Sequence, residues 1–99
     1  MATTVISVRK ISEPNSGPLA SSVPESLQVI TPSGSNQVTT DDVNTDLDSQ
    51  VWEVSTDVNV KLAFDTSPNA TSVVHAVVLA GQTRHFLAVA GHKASVVLL

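Results

Sequence analysis

Between residues 52 and 64 the chain alternates: Trp52, Val54, Val58, Val60, Leu62 and Phe64 stand at even positions, and Glu53, Ser55, Asp57, Asn59 and Lys61 at odd ones. Successive side chains of a β-strand point to opposite faces, so this pattern predicts half-buried strands with the even face inside. Ser55-Thr56-Asp57 is a bend within the run, which leaves two forms open, one hairpin or one long interrupted strand. The even face is buried in either.

The flanking sequence repeats the theme in shorter pieces. "VISVRKI" (5–11) and "LQVIT" (27–31) read as strands, "PSGSN" as a turn, and "QVTT" as the start of another strand. Between the first two, residues 12–26 hold three prolines and five serines with little to bury, the composition of a mobile connector. From residue 73 onward, "VVHAVVL", "RHFLAV" and "KASVVLL" are separated by "AGQT" and "AGH". Gly81 and Gly91 supply the positive backbone angles of tight turns, and the three segments read as a C-terminal β-meander, with Leu79 opposite Arg84, Val78 opposite His85 and His92 beside Val89. The fold class is all-β: a small antiparallel β-sandwich or jelly-roll-like barrel. Residues 1–26 are assigned to an N-terminal strand and flexible arm that the domain can fold without, and 27–99 to the sandwich.

Ninety-nine residues allow one compact domain, and with Trp52, Phe64 and Phe86 as its aromatics the core must be largely aliphatic. A formal charge of −4, with the basic residues scattered apart from Arg9-Lys10, argues against nucleic-acid binding. No segment has the uncharged apolar length of a membrane helix, and Arg9 and Lys10 stand where an export signal needs an apolar run. A soluble protein outside the usual export route is expected. Without cysteine, thiolate chemistry and disulfides are excluded.

No reactive constellation emerges. His75, His85 and His92 form no His-x-His pair, and the expected strand pairing spreads them apart, so no zinc site is predicted. There is no Gly-x-Ser-x-Gly elbow and no glycine-rich phosphate loop; an enzyme is not expected, nor a cofactor. In "DDVNTDLDSQVWE", Asp42, Asn44, Asp46, Asp48, Gln50 and Glu53 fall at the oxygen-ligand positions of a helix-loop-helix calcium site. Leu47, however, replaces the glycine that makes the sharp bend, and no amphipathic helix flanks the loop, so an acidic solvated loop is the reading.

"VKLAFDTSPNATS", followed by Leu79-Ala80-Gly81, Phe86, Val89, Gly91 and Lys93, resembles small bacteriophage structural proteins of the head decoration (capsid cement) type, over residues 58–98. There the pattern is aliphatic-Ala-Phe-Gly-x-x-Pro-x-Ala-Thr, then Leu-Pro-Ala-Gly, aromatic-Phe-x-Val and Gly-x-Lys; this chain departs from it with Asp65 for glycine and Ala80 for proline. The resemblance implies a virion component, made in the host cytoplasm; a small sandwich with a Pro- and Ser-rich arm that reaches over a neighbour suits a place on the capsid surface. The expected partner is then the major capsid protein, with no nucleic acid or membrane, and the aliphatic surplus and short acidic loop fit a domain that also associates with itself, as a symmetric dimer or trimer. A neck or tail adaptor would use the same fold. A sugar-binding module would need exposed aromatics, and Trp52 and Phe64 are assigned to the buried face. The residues expected at interfaces are Arg9, Lys10, Asp42, Asp46, Asp48, Arg84, His85, His92 and Lys93, on the arm, the acidic loop and the turns.

Overall fold

The computed structural model describes residues 2–12, 19–20, 24–45 and 50–99. Their regular structure is antiparallel β: β1 (Thr4–Ser12), β2 (Leu19–Ala20), β3 (Ser26–Ile30), β4 (Gln37–Val38), β5 (Gln50–Thr56), β6 (Val60–Asp65), β7 (Ala76–Val78), β8 (Thr83–Ala88) and β9 (Lys93–Leu98). The first sheet runs β2-β1-β5-β8, with β3 pairing β1 over Thr4–Val8 on the edge that β2 takes at Ile11–Ser12. The second runs β4-β9-β6-β7. One apolar core lies between them: Ile6, Val8, Trp52 and Val54 from the first sheet meet Val60, Leu62, Val78 and Val96 from the second, each no more than 1% exposed. The architecture is the expected all-β sandwich.

The alternation of 52–64 has a simple cause. β5 and β6 both turn their even positions inward, and Asp57-Val58-Asn59 carries the chain from one sheet to the other. The run is therefore neither hairpin nor interrupted strand but an arch across the core. The aromatics bridge the layers: Trp52 and Phe64 have ring centroids 5.6 Å apart, and Phe64 and Phe86 5.2 Å.

The C-terminal meander is not what forms. β7 pairs with β6, β8 with β5, and β9 with β6 and β4, so the last three strands pass from the second sheet to the first and back. The turns themselves are as expected: Gln82 N donates to Leu79 O and His92 N to Val89 O, each at 3.0 Å, with Gly81 and Gly91 at φ +83°. These close β-turns of the kind that requires a left-handed third residue, where any β-carbon is strained. Pairing fails because Val78, Phe86, Ala88, Ala94 and Val96 all face the core from even positions. A two-residue hairpin sets residue i opposite i+3, and so would put an even and an odd position on one face.

The N-terminal boundary also differs. β1 is flanked by β5 on one side and β3 on the other, and Thr4, Ile6 and Val8 are buried. Residues 4–12 are part of the sandwich because they supply one of its inner strands, and removing residues 1–26 would open the core. Most of the arm, 13–18 and 21–23, lies outside the described residues.

Candidate functional site

The outer face of the first sheet is set by the odd positions of β3, β1, β5 and β8. Register places them in rows: Val29, Val5, Ser55, Thr83; then Leu27, Ser7, Glu53, His85; then Arg9, Val51, Leu87. Glu53 is the hub. Its Oε2 lies 3.2 Å from Arg9 Nε and 3.1 Å from His85 Nε2, with the arginine and glutamate side chains largely covered and the imidazole half exposed. One row farther on, the hydroxyls of Ser55 and Thr83 share a hydrogen bond of 2.7 Å. Around this polar line stand large aliphatic side chains in contact with water: Leu27 at 52%, Val29 at 63% and Leu87 at 75% exposure.

The row Ser7, Glu53, His85 has the residue types of a hydrolytic relay in the wrong order. Such a relay needs the imidazole between the hydroxyl and the carboxylate. Here Glu53 stands in the middle, and Ser7 and His85 are two strand spacings apart, about 10 Å. Ser7 is also only 2% exposed. The geometry holds a guanidinium and an imidazole against one carboxylate, which fixes side chains on a surface and activates no nucleophile.

The other expected interface residues are dispersed. Lys93 Nζ reaches Asp42 Oδ1 at 3.5 Å, where the connector from β4 to β5 runs beside the start of β9. His92 takes part there through its backbone, its carbonyl accepting from Val43 N at 2.8 Å. Arg84 lies at the free edge of β8, its guanidinium 5.1 Å from the Phe86 ring centroid and its Nη1 donating to Val77 O at 2.7 Å. It thereby joins the rims of the two sheets. Lys10 is exposed near the end of β1, and Asp46 and Asp48 lie outside the described residues.

The described members of the calcium-like series, Asp42, Asn44, Gln50 and Glu53, each have other roles. Glu53 sits in β5 with its carboxylate on Arg9 and His85, Gln50 Nε2 donates to Asn44 O at 2.7 Å, and Asp42 faces Lys93. Among the described residues no three His, Cys, Asp or Glu side chains converge as a metal site would require, and no helix is long and apolar enough to cross a membrane. His75 has a backbone role, its Nδ1 accepting from Phe64 N at 2.9 Å, which puts the neutral ring's proton on Nε2.

The sequence brings Arg9 and His85 forward as separate interface candidates and misses Glu53 as the group that joins them. The signal lies in the shared odd parity of β1, β5 and β8, which becomes a contact only once the strand order is known. Glu53→Ala is expected to lower stability by about 1–2 kcal/mol, the range for a partly exposed carboxylate holding charge-assisted bonds. Urea titration of variant and parent measures this; an unchanged midpoint would show the line to be decoration only.

Searches with this chain match no family model, no curated protein and no solved structure.

Proposed function

We propose that the chain is a bacteriophage head decoration, or cement, protein: a non-enzymatic sandwich that binds across major capsid subunits and stabilises the mature head. The observation that carries the contact role is the outer face of the first sheet. There Leu27, Val29 and Leu87 remain exposed around a charge line already satisfied within the chain. Exposed aliphatic side chains on both flanks of this line offer a surface on which another can dock, and Arg9, Glu53 and His85 are fixed in advance, so little ordering is required on contact. The phage-like pattern of 58–98 supplies the kind of particle.

Such a protein acts by mass action. It binds where two subunits meet in the expanded shell and not to the separated subunits, so its binding free energy adds to the stability of the assembled state alone. Quantitative mass spectrometry of purified virions tests the reading. A copy number of the same order as that of the major capsid protein is expected. A small fraction of that number would assign the chain to the neck or tail, and absence from the particle would end the proposal.

A further inference from the structure

β8 is hydrogen-bonded to β5 on one side, and no strand among the described residues pairs with its other side. Exposed edges are usually kept short, interrupted or covered, because their free backbone groups recruit further strands. The second sheet follows that rule, with edges of two residues in β4 and three in β7. On β3, the opposite rim of the first sheet, the Gln28 side chain is tied to the connector, its Oε1 accepting from Thr40 N at 2.6 Å and its Nε2 donating to Thr40 Oγ1 at 2.9 Å. On β8 the one such device is Arg84, whose guanidinium turns to Val77 O across the rim; its six residues contain no proline, and their register with β5 is unbroken.

The free groups on that edge can be identified. Thr56 N donates to Gln82 O, which makes Ser55 and Thr83 a non-hydrogen-bonded pair. Alternation then turns the amides and carbonyls of Arg84, Phe86 and Ala88 toward β5, and those of Thr83, His85 and Leu87 outward. An antiparallel copy of the same strand engages all three outward residues in one register, with His85 opposite the partner's His85 and Thr83 opposite the partner's Leu87, giving about six hydrogen bonds. That register is self-complementary, as a two-fold axis demands. It also sets Arg84 opposite the partner's Phe86, repeating across the axis the cation-ring contact made within each chain.

The apolar surface agrees. Leu87 and Val89 on or just after β8, and Val73, Val74 and Leu79 close to β7, are 46–75% exposed, and they make up five of the ten exposed large aliphatic side chains among the described residues. The bond from Arg84 to Val77 shows that the two sheets end together at this rim. A two-fold axis through His85, normal to the first sheet, brings the β7 rims toward each other in the second layer.

We infer that two copies of this chain join edge to edge through β8 into one continuous first sheet. This dimer does not depend on the capsid reading, and the virion census leaves it untouched. Sedimentation equilibrium of the full chain between about 5 and 500 µM is expected to show a monomer–dimer equilibrium, since an interface of this size belongs to the weaker class. Leu87→Pro removes an outward amide without touching the bonds to β5 and is expected to abolish the dimer, with the β-sheet circular dichroism retained. Because the parent has no cysteine, His85→Cys reports the register: oxidation is expected to give a disulfide-linked dimer, whereas Ser55→Cys, one strand inward, is expected to form no disulfide cross-link. A parent that is monomeric throughout, a trimer, or a dimer in which His85→Cys fails to cross-link would overturn the inference.

Discussion

Trp52→Ala is expected to remove about 3–5 kcal/mol of stability, the range for deleting a large buried aromatic. A domain of this length holds only about 5–15 kcal/mol in all, so the variant would sit close to unfolding at physiological temperature. Trp52 is 1% exposed at the middle of β5, with Val8 on β1 and Phe86 on β8 as its cross-strand neighbours and the Phe64 ring meeting it from the other sheet. No neighbour can fill the space, because Val54, Leu62 and Val96 are themselves fully packed. Trp52→Phe should cost far less, about 1 kcal/mol. It keeps a ring against Phe64 and discards an indole N–H that finds no acceptor among the described residues. Urea denaturation followed by far-ultraviolet circular dichroism measures both, since each variant lacks the chain's one tryptophan. A loss below 1 kcal/mol for the alanine variant would mean that this ring is not the keystone of the core.

The same residue shows why part of the fold can be read from sequence. Trp52, Val54, Val60 and Leu62 reveal their burial because period two survives whichever partners the strands take. Partner choice is a different quantity. A hairpin and an arch across the sandwich both keep the even face of 52–64 buried, and only the pairing of β5 with β1 and β8, and of β6 with β9 and β7, separates them. Gly81 and Gly91 likewise announce turns but not destinations. A parity signal against hairpins is present at both turns, but exposed Leu87 and buried Val97 blur it, since hydrophobicity alone assigns them to the wrong faces.

The candidate surface was less legible than the core for the same reason. Arg9, Glu53 and His85 are separated by 44 and 32 positions along the chain, and nothing local to any of them specifies the other two. What joins them is that β5 lies between β1 and β8, a long-range choice made by the core. Lys93 and Asp42 meet because the connector after β4 follows the start of β9, with Thr39 N donating to Ala94 O at 2.8 Å. The candidate face is thus a by-product of core packing, displayed on residues whose own chemistry could not have selected it.

Ala70→Glu is the second substitution expected to have a large effect, about 2–4 kcal/mol. The loop from β6 to β7 folds back over the outer face of the second sheet, where Ala70 completes a small second core with Ala63 and Val97; the three are at most 3% exposed. The loop is clasped there by polar groups: Ala70 N donates to both Asn36 Oδ1 at 3.0 Å and Ser95 Oγ at 3.1 Å, and Asn36 Nδ2 donates to Pro68 O at 3.1 Å. Ala70 is fully buried against Ala63 and Val97, so a longer, charged side chain there meets packed apolar surface. A glutamate there must either bury its carboxylate without a partner or lift the loop, and lifting it exposes Ser95 and Val97 and breaks the clasp. The second course is cheaper and bounds the cost. Hydrogen exchange then separates local from global damage: the Ala70 amide should lose protection far more than the Val54 amide at the centre of the sandwich. Equal loss at both would mean that the loop is integral to the main core, and no loss at Ala70 would mean that the clasp does not hold in solution.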